Sequence, residues 1–328
     1  MLSTLSDRAS TVSPLPLCTL DDARHLGINL RSGWARVRKG IYVNSDAYDK
    51  LSARDKYAVR VHAFIRMNPD AVLCLESAAV IHGVPQFGET KDIHVFDPHR
   101  TSSWRHSDVS VHTSKDPRTI ERVNGVLVTS LVDTVCDLVR VVSPGRGIAI
   151  VDTVTSPAQG GLLSIGQLQD HAADQQNQRG RARMQLVWAH ADPLSESPVE
   201  SLSRAVIAWS GFEVPVLQRE FIYEGQCDRV DFYFESVRAI GEADGWGKYD
   251  LMNNDDPMAK LKDEKRREDR LRRHRHPFAR WEMRDIWSVK PLTAKLVEIG
   301  VPRVAPKHDA LLITFRNNPR AKPWKKGG

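Results

Sequence analysis

Two neighbouring stretches in the last third of the chain alternate between apolar and polar residues, the pattern of half-buried β-strands. The first covers residues 230–234, and the second follows after a short turn. Because a strand repeats every two residues, Glu242 and Asp244 share a face. Antiparallel pairing about the turn places Asp231 opposite Gly241 or Glu242. The pattern therefore predicts a hairpin on which three carboxylates converge.

Apolar residues at helical or alternating spacing predict most of the other elements. The middle of the chain mixes helices with strands, and the acidic hairpin is preceded by a helix and a strand, so an α/β fold is expected. Helices are predicted at residues 51–67, 73–81, 131–142, 164–173, 184–190, 197–210 and 258–274, and further strands at 92–96, 109–112, 214–223 and 278–283.

Two helix starts carry clear capping signals. Thr19 is expected to cap a helix that has Asp22 in its first turn and ends at Gly27. Ser197 precedes a proline and stands three residues before Glu200, which is the signature of a capping box. Glu200 is therefore expected near the start of the helix that leads into the acidic hairpin.

Length and composition favour a multidomain protein outside the membrane. The chain of 328 residues exceeds the usual size of one domain. No apolar run approaches the roughly 20 residues that a membrane-spanning helix needs, and the first residues lack the features of a signal peptide, so a cytoplasmic location is expected. The cysteines are scattered without CxxC spacing, which argues against a zinc site or a disulfide framework. They are Cys18, Cys74, Cys136 and Cys227.

The positive charge is concentrated rather than spread. The net charge is +6, but the segment from Lys260 to Arg275 alone holds nine lysines or arginines and four acids. From Arg303 to the end there are seven lysines or arginines and one acid. A polyanion is therefore the leading class of partner.

Carboxylates that converge on one patch repel one another, and a divalent cation relieves that repulsion. Mg²⁺ or Mn²⁺ takes oxygen ligands from one or two carboxylates, water and substrate phosphate. Asp231, Glu242 and Asp244 are the predicted metal ligands, and Lys248 is placed to orient water or to stabilise charge on a phosphate. The alternative is that these acids are solvated surface residues.

The segments Val230-Asp231-Phe232 and Gly241-Glu242-x-Asp244-Gly245-x-x-Lys248-Tyr249 resemble the PD-(D/E)xK nuclease superfamily. The similarity is to the branch of very-short-patch-repair endonucleases and their uncharacterised actinobacterial relatives. It implies a restriction-endonuclease-like core, a mixed sheet flanked by helices, and it matches Glu200 to an acid that often faces the active site. One departure is that Asp244 stands where the usual lysine would be, so Lys248 or a residue of a later helix would have to replace it.

The first 50 residues resemble the winged-helix segment of AbiEi-type antitoxins, through the helix after Thr19 and the run Lys39-Gly40-Ile41-Tyr42-Val43. The resemblance implies that Arg36, Arg38 and Lys39 contact DNA phosphates. The alternative is that this segment is a structural cap on the next module. The run Glu76-Ser77-Ala78-Ala79, followed by His82-Gly83, extends the resemblance into the middle of the chain.

The charged helix after the hairpin has two interpretations. Its ion pairs are typical of a solvated face, with Lys265 and Asp269 spaced for an intrahelical pair. The other interpretation is that the helix lines the cleft beside the acids and grips DNA phosphates. The residues predicted to do so are Lys265, Arg266, Arg267 and Arg270.

The sequence thus predicts a metal-dependent DNA endonuclease with a DNA-binding N-terminal region, in phage or mobile-element defence. The alternative is a non-catalytic, antitoxin-like transcriptional regulator that retains a nuclease fold. A homo-oligomer and a cognate toxin stay open as further partners. The predicted segments are a winged-helix-like part at 1–50, an AbiEi-like α/β module at 51–175, the nuclease-like domain at 176–300 and a basic, disordered tail at 301–328.

Overall fold

The computed structural model describes residues 4–88, 90–244 and 257–316, together with residues 318 and 320. These residues fold as a mixture of helices and mixed sheets, which confirms the predicted α/β class. They divide into two compact units between which the chain passes more than once. The N-terminal unit contains Thr4–Val142, Leu163–Gln185 and residues 318 and 320, and the C-terminal unit contains Ser143–Leu162 and residues 186–316.

The N-terminal unit opens with a small antiparallel sheet. Thr19 caps the second helix and forms a full capping box with Asp22, and Gly27 ends that helix with a φ of 65°, as predicted. The elements are α1 (Leu5–Arg8), β1 (Cys18–Thr19), α2 (Leu20–Leu26), β2 (Trp34–Arg38), β3 (Ile41–Asn44) and α3 (Ser45–Lys50), with the strands in the order β1-β3-β2.

A six-stranded mixed sheet follows and forms the core of this unit. Tyr57, Phe64, Leu73, Ile93 and Val128 are buried in one cluster between this sheet and its helices. The elements are α4 (Ala53–Met67), β4 (Val72–Leu73), α5 (Leu75–His82), β5 (Ile93–Phe96), β6 (Trp104–His106), β7 (Val109–His112), β8 (Ile120–Val123), β9 (Val126–Thr129) and α6 (Leu131–Val141), with the strands in the order β6-β7-β5-β4-β9-β8.

Sequence and structure differ at the start of the second apolar helix. The predicted helix 73–81 begins only at Leu75, because Leu73 pairs with Val95 of β5 and Val128 of β9 as part of a strand. A short apolar run does not show by itself whether it is strand or helix.

The C-terminal unit is built on the sheet β10-β11-β12-β13, in which β12 and β13 are parallel and the other pairs antiparallel. The helix predicted after Ser197 is present, as is the hairpin. The elements after α6 are α7 (Pro144–Thr155), α8 (Ile165–Asp174), α9 (Arg181–His190), α10 (Pro198–Trp209), β10 (Val216–Tyr223), β11 (Gln226–Phe234), β12 (Ala239–Asp244), α11 (Pro257–Arg273), β13 (Phe278–Glu282), α12 (Met283–Ser288), α13 (Lys290–Glu298) and α14 (Asp309–Arg316); α8 and the start of α9 belong to the N-terminal unit.

Helices cover both faces of this sheet near the acidic hairpin. Ile240 shares a buried cluster with Leu271 of α11. Successive residues of a strand point to opposite faces, so Gly241 faces the other way, towards the ring of Trp281. The Trp281 indole N–H donates to Ser203 Oγ of α10 at 2.8 Å. The hairpin therefore packs between α10 and α11.

The segment predicted as a disordered tail from residue 301 contains a helix. In α14, Leu312 and Phe315 are buried, and the Phe315 ring lies edge-on to Trp209 with 5.6 Å between ring centroids. Sequence analysis interpreted the whole segment from its basic residues and did not recognise this short apolar stretch as a helix. The helix α7, which sequence analysis left uninterpreted, packs on α10 in the same unit.

Candidate active site

The register of the hairpin brings Asp231 to Glu242. Phe232 pairs with Gly241, and the Ala243 N–H donates to Asp231 Oδ2 at 2.8 Å. The Asp231 carboxylate therefore lies directly beside the second strand, one residue from Glu242. The predicted hairpin and its approximate register are confirmed, and they follow from the alternation of the two strands and the position of the turn.

Glu242 is a buried acid held by a guanidinium. Only 4% of the residue is exposed, and Arg267 of α11 donates to both carboxylate oxygens, from Nη1 to Oε1 at 3.1 Å and from Nη2 to Oε2 at 3.0 Å. Burial and the negative charge of Asp231 raise the pKa of Glu242 to about 7, although Arg267 acts in the opposite direction.

Glu200 lies at the start of α10 and is held by residues of the cap and by Gln218 of β10. Its Oε1 accepts from the Ser197 hydroxyl at 2.7 Å, and its Oε2 accepts from the Glu196 N–H at 2.8 Å and from Gln218 Nε2 at 3.0 Å. Burial, together with the charges of Glu196 and Glu242, raises the pKa of Glu200 to about 7. The predicted cap is confirmed, since the Glu200 N–H donates to Ser197 Oγ at 3.2 Å, and the site-facing role of Glu200 stays a prediction.

Asp244 is drawn towards a different cation. Its Oδ2 lies 3.6 Å from Arg280 Nε on the neighbouring strand β13. Parallel pairing, which places Glu242 opposite Arg280 and Asp244 opposite Glu282, explains this proximity. Lys248, the remaining predicted site residue of the hairpin, lies outside the described residues.

A further acid, Glu264 of α11, completes the charge network. Arg267 donates to both of its oxygens, from Nη2 at 2.8 Å and from Nε at 3.2 Å, and Arg280 Nη2 donates to Oε1 at 2.7 Å. Burial would raise the pKa of Glu264, but these two guanidiniums outweigh it and lower the pKa to about 2. Acids and arginines thus alternate from Glu242 through Glu264 to Asp244.

Sequence analysis missed three members of this site, namely Gln218, Glu264 and Arg280. Sequence analysis interpreted the stretch around Glu264 as a solvated, charged helix. It interpreted the stretch around Arg280 as a strand. The signal for Glu264 was its spacing of three residues from Arg267, which places both on one face of a helix. Nothing in the sequence indicated Gln218. It lies in β10 with a φ of 54°, so it departs from the regular strand geometry on which an alternating pattern depends.

The other predicted DNA contacts on α11 differ in their surroundings. Lys265 and Arg266 are exposed, and Arg266 pairs with Asp263 at 3.2 Å. Arg270 instead makes a two-pronged contact with buried Asp228, with both nitrogens 2.6 Å from the carboxylate. Two of the predicted cations are thus available to a polyanion, and Arg270 is engaged within the fold.

The same contrast appears in the N-terminal unit. Arg36 and Lys39 are exposed on β2 and the following turn. Arg38 donates to both oxygens of Asp108 at 3.0 Å and lies over the Phe64 ring. The predicted phosphate contacts of Arg36 and Lys39 stay a prediction, and Arg38 has a role within the unit.

The N-terminal unit also holds a buried polar cluster. The Glu76 carboxylate accepts from Arg320 at 2.5 and 2.6 Å, and His94 Nε2 lies 3.4 Å from Glu76. His94 Nδ1 is 2.9 Å from His112 Nε2. Within the part of the chain that the structure describes, no three His, Cys, Asp or Glu side chains are grouped so as to hold a metal ion.

No protein-family model, no curated protein and no solved structure matches the chain. No helix of the described ranges, 4–88, 90–244 and 257–316, is long and apolar enough to cross a membrane.

Proposed function

We propose that the C-terminal unit hydrolyses phosphodiester bonds in DNA with the help of Mg²⁺ or Mn²⁺. The observation that carries the proposal is the register of the hairpin, which sets the Asp231 carboxylate beside buried Glu242; the charge of Glu242 also acts on Glu200 of α10. Like charges that are buried together raise one another's pKa. Burial is the main cause that raises the pKa of Glu200 and of Glu242 to about 7, and the neighbouring carboxylates add to it.

The proposal assigns a hard divalent cation to two carboxylates of the hairpin. Asp231 and Glu242 would hold it, since carboxylate oxygens are the ligands that Mg²⁺ and Mn²⁺ prefer. When bound, the cation supplies Lewis-acid activation of water and offsets charge on the phosphate. The protein itself already provides one counter-charge here, because Arg267 contacts both oxygens of Glu242.

The remaining residues would position the substrate. Three donors fix the orientation of both Glu200 oxygens, which suits a carboxylate that orients water at the edge of the site. Exposed Lys265 and Arg266 would attract DNA phosphates, a contribution that weakens as salt rises. Asp244 as a third ligand and Lys248 as the assisting cation belong to the same proposal.

The test is cleavage of supercoiled plasmid DNA by wild type and by Asp231→Asn and Glu242→Gln, with Mg²⁺, Mn²⁺ or a chelator. Each substitution keeps the size of the side chain and removes a charge. We expect the cleavage rate to fall by at least about a hundredfold while DNA affinity is retained. Glu220→Gln, which neutralises an exposed acid on the same sheet, should cleave as wild type. Cleavage in chelator, or full activity of both site variants, contradicts the proposal.

A second function has its own support. Because Arg267 already neutralises Glu242, the fold could serve a non-catalytic, antitoxin-like DNA-binding regulator that contacts DNA through Arg36 and Lys39. Such a protein would bind DNA without nicking it in any metal. In that case Arg36→Ala with Lys39→Ala would weaken binding and flatten its salt dependence, since each phosphate contact adds to the salt slope.

A further inference from the structure

The side chain of Arg267 serves two carboxylates at once. Its Nη1 and Nη2 contact Glu242 on β12, while its Nη2 and Nε contact Glu264 on its own helix. A third contact joins Nη1 to the Arg229 carbonyl at 3.0 Å. The guanidinium therefore lies against the very oxygens that a divalent cation at the hairpin would need.

We propose that Arg267 is an internal counter-cation that a divalent metal ion displaces from Glu242, so that the site is self-inhibited until the metal concentration is high enough. This inference rests on the proposed function, because it presumes that metal binds at Glu242. It identifies how that same site is regulated.

Arg267 would keep a carboxylate partner after such an exchange, so the exchange would cost it little free energy. On leaving Glu242, Arg267 keeps its two-pronged contact with Glu264, three residues earlier in α11. Glu264 is also held by Arg280 Nη2 at 2.7 Å, so this alternative partner stays in place. A buried guanidinium that lost all its partners would be strongly disfavoured; Arg267 has a partner in both states.

Exchange also explains why the acids are tolerated without bound metal. The side chain of Glu242 is 6% exposed and that of Arg267 is 19% exposed, so solvent screens neither charge well. Without a positive charge at this position, Asp231, Glu242 and Glu200 would repel one another across a poorly hydrated space. Arg267 and the metal would thus perform the same electrostatic task in two states of the protein.

The experiment is a calorimetric titration of the full-length, metal-free chain with Mn²⁺ at about pH 8.5, above the usual range of a glutamate. We expect Arg267→Met to lower the Kd for Mn²⁺ by at least about tenfold, because the variant leaves a buried carboxylate uncompensated until the metal binds. Arg267→Lys, which keeps the charge and loses the two-pronged contact, should lie between. The gain should disappear when Asp231→Asn is added.

The matched control is Arg204→Met. Arg204 is similarly buried, with a side chain 16% exposed, and donates to the buried Asp152 at 2.8 Å. Its loss therefore leaves a buried carboxylate without its guanidinium counter-charge in the same unit, at a site other than the hairpin. This variant should bind Mn²⁺ as wild type does.

Wild-type protein provides a second measurement if Arg267→Met fails to fold. Adding Mg²⁺ should shift the Nε–H resonance of Arg267 in ¹⁵N spectra and leave that of Arg204 unchanged. Equal Mn²⁺ affinity in wild type and Arg267→Met, or an Arg267 resonance that Mg²⁺ does not move although Mg²⁺ binds, overturns the inference and leaves the proposed function standing. No cation binding by any variant overturns both.

Discussion

At the scale of single residues, the site depends on a glycine of the hairpin that packs against a buried tryptophan. Gly241 lies directly before Glu242 and faces the ring of Trp281. Trp281 is fully buried, and its indole N–H is tied to Ser203. Glycine, which has no Cβ, is needed here because the Trp281 ring fills the space that a Cβ would take.

Gly241→Ala should lower the free energy of unfolding by about 1–3 kcal/mol, the usual cost of overpacking a core. The added Cβ would lie 2.8 Å from Trp281 Cζ3, so either the ring or β12 must shift, and a shift of β12 moves Glu242. Urea unfolding measures the loss of stability.

The control is Gly166→Ala on α8, where the nearest atom to an added Cβ is Ser164 Oγ at 3.8 Å. Alanine favours a helix over glycine by up to about 1 kcal/mol, so this variant should be neutral or slightly stabilised. Equal stability of the two variants would show that Trp281 does not constrain Gly241.

Residue types showed the acids of the site but not their partners. Alternation predicted Asp231 beside Glu242, because a strand has a fixed period and a short turn fixes the register. Sequence analysis offered Arg267 as a residue that contacts DNA phosphates beside the acids; nothing local indicated that it pairs with Glu242, which is 25 positions earlier in the chain. That contact depends on how α11 packs on the sheet, and the packing is set by buried residues such as Leu271 and Ile240.

At the scale of elements, the packing of α5, β5 and β7 buries the imidazole of His94. His94 on β5 is buried and lies among Glu76 of α5, His112 of β7, Asp92 and Arg320. Burial lowers the pKa of His94 from 6.5 to about 4. The sequence around His94 and His112 does not indicate that they meet; the parallel pairing of β5 with β7 brings them together.

This depressed pKa predicts that acid weakens the fold. Between pH 6.5 and 4 the unfolded chain protonates His94 and the folded chain does not, so stability rises with pH in that range and is lost as pH falls through it. At pH 5 the difference contributes a loss of about 2 kcal/mol relative to neutral pH.

The measurement is urea unfolding of wild type and His94→Asn at pH 7 and at pH 5. The variant should lose about 2 kcal/mol less between the two pH values than wild type does. His25→Asn on α2, where the side chain is exposed, should leave the pH dependence unchanged. The same pH dependence in His94→Asn and wild type would mean that His94 is not what destabilises the fold in acid.

At the scale of the whole molecule, the chain divides in a way that no local pattern foretold. Sequence analysis placed a boundary near residue 175, where polar residues suggested a connection. The contacts instead group residues 143–162 with residues 186–316, while Leu163–Gln185 belongs to the N-terminal unit. Local composition shows where a chain is polar; it does not show that the chain leaves a unit and returns to it.

The helix α7 belongs to the C-terminal unit and contacts α10 and α14 there. Asp152 of α7 accepts from Arg204 of α10 and from the Asp192 N–H, both at 2.8 Å. Gly145 lies against the ring of Phe315 in α14. A fragment that starts at the boundary suggested by the sequence would lack all these contacts.

We therefore expect a fragment of residues 143–328 to unfold cooperatively in urea and a fragment of residues 176–328 to unfold at lower urea or without a cooperative transition. Without α7, Arg204 loses its buried partner, and the apolar faces of α10 and α14 are exposed to water, which favours aggregation. Circular dichroism and size-exclusion chromatography measure the two fragments side by side. Equal urea midpoints for both would show that α7 is dispensable and that the sheet with its remaining helices suffices to hold the hairpin acids together.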